Sequence, residues 1–343
     1  MQVFQSVAIV PEPTLRPVSA KTLRQWCAPE VILVVTNLTD ELVILPHVIM
    51  QAKPSRGRII LTHMVTPIAR SGNAICRTRR PASGVEEART VLERMARHLR
   101  WLGFVCEPLV LTGLPEIEIP SIARSCGVDR VIVGFEHDPN RAGAGNPTAL
   151  AQLLPELDPP ACVIGSHVSL ASGNSFLTKR ITLAASLASD CDVPLSFACR
   201  LAQEQRAKLT VVHVFGRGSG DENSWARTPL EIASRLPVPA WREAELLCPT
   251  EITIREGDAA DEILKHSLST NPDLIILCSP GNLGVGQCWR ESVSYRVIAG
   301  AQCPVFVLKK QPEAARLRDD MFSEKVPAYG ESPTLATRKE DFM

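Results

Sequence analysis

One succession of landmarks occurs twice along this chain at a nearly fixed spacing. Gly113 and Gly257, Asp129 and Asp273, Gly134 and Cys278, and Thr148 and Ser292 are each 144 residues apart. A constant offset over four landmarks leaves no room for an insertion in the later part of either copy. Upstream the offset is 149 for Asn37 and Ser186 and 150 for His63 and His213, so the earlier parts differ by only a few loop residues. A length of 343 residues is too great for one ordinary core, and two cores of roughly 150 residues each suit it. Whatever fold one copy adopts, the other adopts as well.

The fold class follows from the order of the runs inside a copy. Val31-Ile32-Leu33-Val34-Val35 is an apolar, β-branched run too short for a helix, as a strand buried on both faces requires. Helical spacing follows over residues 40–51, then a strand over 58–63, a helix over 84–102, a strand over 104–111 and a helix over 117–126. A strand at 130–133, a short helix from Thr148 and a last strand at 161–164 complete the copy. In the second copy Arg180-Ile181-Thr182-Leu183 opens the same series, with a helix over 193–202 and a strand over 209–214. Strictly alternating strands and helices predict an α/β fold, an open parallel sheet with right-handed crossovers in each copy. The expected boundaries are a proline-bearing extension over 1–29, copies over 30–168 and 176–310 with a Ser- and Gly-containing join near 166–175, and a polar, aperiodic tail over 311–343.

Composition removes several classes of function. Lys plus Arg and Asp plus Glu are both 37, so no net field draws the chain to nucleic acid or to an anionic membrane. The 11 cysteines stand singly with no C-x-x-C pair, which argues against a zinc site or a redox dithiol. Several lie in apolar runs such as Ala161-Cys162-Val163-Ile164, where cysteine acts as a small buried hydrophobe in a reducing compartment; the cytoplasm is the expected location. No window approaches 18 uninterrupted apolar residues, and the N-terminus lacks the basic-then-apolar order of a signal peptide. No phosphate-loop motif with its lysine, no G-x-S-x-G and no spaced nucleophile and base are identifiable. Hydrolysis by those mechanisms is disfavoured, and the chain reads as a non-enzyme.

The segment Gly257-Asp258-Ala259-Ala260-Asp261-Glu262-Ile263-Leu264, with Asn271-Pro272-Asp273-Leu274-Ile275-Ile276-Leu277, Ser292-Val293-Ser294-Tyr295-Arg296-Val297-Ile298 and Cys303-Pro304-Val305-Phe306-Val307-Leu308, resembles the universal stress protein family. The first copy is a more distant match, and together they imply the tandem type of that family. The resemblance implies a Rossmann-like, adenine nucleotide alpha hydrolase-like sheet of about five parallel strands in each copy. Many members bind ATP in the crevice where the first and fourth strands end, the place an open α/β sheet offers a nucleotide. The binding members show a loop G-x-x-G-x9-G-[ST], whose glycines let backbone approach phosphate and whose hydroxyl heads a helix suited to an anion, together with an Asp closing the first strand.

Carried onto this chain, the pattern is incomplete in both copies. The second reads Cys278-x-x-Gly281, nine residues, then Glu291-Ser292, with Ser186 in place of the first-strand Asp; Val214 and Val293 complete the implied ring of contacts. The first reads Gly134-x-x-His137, nine residues, then Pro147-Thr148, with Asn37 in place of the Asp. Glu291 would set a carboxylate beside a triphosphate, and the repulsion is of the size that separates micromolar binding from none. Pro147 takes away one N–H that could have faced phosphate.

Plainer roles stand beside these. His63 and His213 read as half-buried residues closing strands, Asp129 and Asp273 as turn acceptors ahead of the fourth strands, and Thr148 and Ser292 as helix N-caps with or without a ligand. His137 reads as pointing to solvent. The expectation is a stress-response regulator or sensor with a weakened or altered nucleotide site, no certain cofactor, and an unidentified protein partner or small ligand. It is expected to be an intramolecular pseudo-dimer joined through its last strands, with a homodimer of such chains as a further option. The alternatives are a genuine ATP-binding stress protein with slow or no hydrolysis and an α/β enzyme acting on a nucleotide-like substrate.

Overall fold

The computed structural model of the chain describes residues 25–65, 81–135, 147–168, 178–185, 192–216, 249–279 and 291–309, all within one compact unit. The expectations placed on the extension before residue 25, on the loops at 136–146 and 280–290 and on the tail lie outside the described residues.

The first half runs β1 (Val31–Val35), α1 (Glu41–Ala52), β2 (Arg58–Val65), α2 (Pro81–Trp101), β3 (Cys106–Thr112), α3 (Pro115–Ser125), β4 (Arg130–Gly134), α4 (Pro147–Leu153) and β5 (Ala161–Ile164). The second runs β6 (Arg180–Ala184), α5 (Asp192–Gln205), β7 (Lys208–Phe215), β8 (Thr250–Glu256), α6 (Ala259–Thr270), β9 (Leu274–Ser279), α7 (Val293–Gly300) and β10 (Val305–Lys309). The alternation expected from the sequence is present, with small shifts that have local causes. β3 begins at Cys106 and not at residue 104, because Gly103 takes φ 89 and the Phe104 N–H bonds back to the Leu99 carbonyl at 3.1 Å, closing α2. That is how a glycine in the left-handed region ends a helix. α3 starts at Pro115, two residues before the periodicity suggests, since proline suits a first helical position.

The ten strands of the described residues form one sheet in the order β3-β2-β1-β4-β5-β10-β9-β6-β7-β8. Each half contributes five parallel strands in the same relative order, and the halves meet where β5 and β10 pair antiparallel. The register sets Val305 opposite Val163, Phe306 opposite Cys162 and Val307 opposite Ala161. Cys162 and Phe306 are themselves 144 residues apart, so the centre of this ladder is the pseudo-twofold axis relating the halves. An apolar edge strand needs a partner, and each half supplies the other's, through the last strands as expected.

Alternation along β1 sends Ile32 and Val34 to one face and Leu33 and Val35 to the other. On the first face α1, α2 and α5 pack through Ile44, Val48, Leu92, Leu99 and Phe197. On the second face α3, α4, α6 and α7 pack through Ile119, Leu153, Ile263 and Val297. Each layer holds residues of both halves, so the core is continuous across the join. Aromatic pairs stitch it on either side: Phe197 meets Phe306 at 5.6 Å, and Phe135 meets Tyr295 edge-on at 6.0 Å between centroids.

Candidate functional site

Where neighbouring strands send their connections in opposite directions, an open α/β sheet leaves a crevice at its carboxyl edge. Here that happens twice, between β1 and β4 and between β6 and β9.

In the first crevice the chain leaving β1 turns tightly. The Asn37 carboxamide oxygen accepts from the N–H and the hydroxyl of Thr39, each at 2.9 Å. Asp40 stands at the N-cap position of α1, yet its side chain makes no cap bond. One carboxylate oxygen accepts from the Thr36 hydroxyl, and the other lies 3.5 Å from the Asn37 N–H. That second oxygen rests directly against the end of β4, so that a Cβ on Gly134 would overlap it. Gly134 is thus needed for the approach of a carboxylate from within the chain. Sequence reasoning missed Asp40. An Asp just before a helix reads as an ordinary cap, and nothing in the linear order shows that it reaches sideways to a strand almost a hundred residues later.

Thr148 is exposed and is the second residue of α4, which begins at Pro147. It is not the cap that the sequence suggested, because the proline itself takes the first helical position.

In the second crevice Ser292 is a true cap of α7. Its backbone is extended (φ −66, ψ 147) and its hydroxyl accepts from the Tyr295 N–H at 3.1 Å. Val293 follows, 39% exposed, and Glu291 precedes it, exposed. Cys278 is half-buried on β9 opposite Leu308, and Val214 half-buried on β7 opposite Arg255, with β6 between the two strands. Ser186 and Gly281, the remaining candidates here, lie outside the described residues, as does His137.

An ion-pair cluster fixes α7 to the start of α6. Arg296 donates to Asp258 at 2.9 Å and to Asp261 at 2.6 Å, while Asp258 caps α6 through the Asp261 N–H at 3.0 Å. The hydrogen bond from Arg296, helped by the helix N–H, holds the Asp258 carboxyl below its ordinary range.

The paired histidines and aspartates have structural work. His63 Nδ1 lies 2.8 Å from the Thr36 carbonyl and His213 Nδ1 3.1 Å from the Ala185 carbonyl, each tying a second strand to the end of a first. Burial pushes the His63 imidazole below its usual pKa, an effect partly offset by that hydrogen bond. Asp129 accepts from the N–H groups of Glu30 and Val31 at 2.8 and 3.0 Å, and Asp273 from those of Lys179 and Arg180 at 2.8 Å each. They are therefore clasps between fourth and first strands and not acceptors within a local turn. No group of three or more His, Cys, Asp or Glu suited to a metal ion occurs among the described residues.

Residues 178–309 match the model of the universal stress protein family. No curated protein matches the chain. Among solved structures, a universal stress protein from Archaeoglobus fulgidus DSM 4304 aligns with a TM-score of 0.63 at 18% identity, over 84% of this chain and 98% of its own. A functionally unknown protein from Pseudomonas aeruginosa PAO1 aligns with a TM-score of 0.51 at 15% identity, over 88% of this chain and all of its own. A putative universal stress protein from Pseudomonas aeruginosa UCBPP-PA14 gives 0.51 at 16%, over 88% and 99%. At such identities the likeness is one of fold.

Proposed function

From the premise that residues 178–309 form a universal stress protein domain, we propose that this chain is a tandem stress-response regulator whose two copies are held as an internal pseudo-dimer and whose nucleotide crevices are altered. The copies are taken as residues 30–168 and 176–310. The observation that carries the reading is the Asp40 carboxylate seated against Gly134 between β1 and β4. A triphosphate entering there would meet a negative charge in a partly desolvated crevice, where like charges repel more strongly than in water. The tight turn after β1 also spends the Asn37 side chain on Thr39, leaving it poorly placed to hold a nucleoside. The function that remains for the first copy is architectural, with signalling through a protein partner or a small ligand other than a triphosphate.

The second copy carries the runner-up reading, a genuine ATP site formed by Ser186, Val214, Cys278, Gly281, Ser292 and Val293. One observation favours it: Ser292 caps α7, the helix terminus at which the family pattern places its hydroxyl, and such termini attract anions. Glu291 stands beside that cap and opposes the same anion.

Titration calorimetry with ATP and magnesium tests both. The expected result for the intact chain is at most one nucleotide per chain, bound more weakly than micromolar, with affinity rising at least tenfold in Glu291→Gly. Two equivalents bound per chain would contradict the closed first crevice, and no gain in the variant would contradict the role given to Glu291.

A further inference from the structure

The pseudo-twofold axis exposes one position at which the two halves differ in kind. Arg130 pairs with Ile32 in the β1 and β4 ladder, and the residue in the same place of the β6 and β9 ladder, opposite Ile181, is Leu274. Both are buried, at 2% and 3% exposure. A leucine satisfies this site in one half, so the fold does not require a cation in the other. Burying a guanidinium is costly unless something compensates its charge.

Among the described residues the compensation is slight. Arg130 donates to the Gln51 carboxamide oxygen at 3.2 Å and to the Trp26 carbonyl, and its guanidinium carbon sits 4.7 Å from the centre of the Phe306 ring, which belongs to the other half. Its Nε is buried with no hydrogen-bond partner. Among the described residues no carboxylate pairs with it. Asp129 is engaged by the backbone of β1, and Glu204 is paired with Arg200 at 3.2 Å. Burial lowers the Arg130 pKa to about 10, so the charge persists at neutral pH.

Arg130 lines a cavity of about 20 Å³ between the halves, together with Cys27, Gln51, Thr178, Gln205 and Phe306. That volume admits a single water-sized guest. Burial raises the Cys27 thiol to about 12 and the Cys162 thiol to about 11, so both stay protonated and neither supplies a counter-charge. The lining brings the Cys27 thiol, the Thr178 hydroxyl and the Gln51 and Gln205 carboxamides to a guanidinium that has no directly paired carboxylate among the described residues, beside an aromatic ring. A space for one water-sized guest suits a monatomic anion.

We propose that this cavity binds a halide, chloride in the cell, against the Arg130 guanidinium, and that the ion helps lock the two halves together at their axis. A species that binds only the folded chain stabilises it by mass action. At about ten times the dissociation constant the expected rise in unfolding midpoint is roughly 2 °C for a chain of this size.

The test is thermal unfolding of the full chain in sodium chloride, bromide and gluconate at matched ionic strength. Chloride and bromide should raise the midpoint in a saturable way over gluconate, and Arg130→Met should abolish the difference while remaining folded, because the equivalent place in the other half is filled by the apolar Leu274. Equal midpoints in chloride and gluconate, or an undiminished halide effect in the variant, overturn the proposal. Should the variant fail to fold, crystals of the unaltered chain grown in bromide decide it. An anomalous peak in the cavity beside the Arg130 guanidinium supports the site, and a water molecule there without such a peak refutes it.

Discussion

Asp40 and Gly134 are a matched pair, and neither residue has a reason for its identity without the other. The carboxylate can lie in the mouth between β1 and β4 only because position 134 lacks a side chain. Adding a methyl group there forces the acid out of its contact with Thr36. Gly134→Ala should therefore cost about 1–3 kcal/mol of stability, the usual penalty for overpacking. Asp40→Ala in the same chain should recover most of that loss, because the clash partner is gone; urea unfolding of the two single variants and the double variant measures the coupling. Additive effects would show that the two residues are independent. At this scale the sequence was only half legible. Gly134 stood out as a glycine at the end of an apolar run, but it resembled a phosphate glycine, and the group that needs it comes from a helix cap far away along the chain. Thr148 misled in the same way, since the rule that hydroxyl residues cap helices competes here with the preference of Pro147 for a first helical position.

At the scale of elements, the strands were legible because parallel strands covered on both faces must be apolar throughout, and Val31–Val35 and Leu274–Ser279 have few other uses. The ends of elements were less so. The start of β3 depends on how Gly103 closes α2, a three-dimensional matter that periodicity does not encode. The joint between β5 and β10 carries the largest consequences, since three facing residue pairs unite two sheets into one. Phe306 sits at its centre, in contact with both Phe197 and Arg130. Phe306→Ala should lose about 3–5 kcal/mol, as expected when a buried aromatic is truncated. Because the packed layers on both faces run through the joint, the loss should appear in both halves together. Hydrogen exchange read separately on β1 and β6 checks this, and protection lost in the second half alone would contradict a shared core.

For the whole molecule, duplication is the organising fact. A repeated module brings repeated devices: the clasps of Asp129 and Asp273, the ties of His63 and His213, and the turns at Gly113 and Gly257 with φ of 142 and 149. These follow from the module and say little about ligands. Function is to be sought where the copies diverge. Gly134 in place of Cys278, Glu291 in place of Pro147, and Arg130 in place of a leucine are such divergences, and single-residue departures of this kind carry little meaning for pattern reasoning until their surroundings in space are known.

The claim on which the account rests is that the first crevice is already filled by the protein's own acid. A crystal structure of the chain grown in saturating ATP and magnesium tests it directly. The account predicts Asp40 against Gly134, with no nucleotide phosphate between β1 and β4. An ordered triphosphate in that crevice, with Asp40 swung aside, would contradict it.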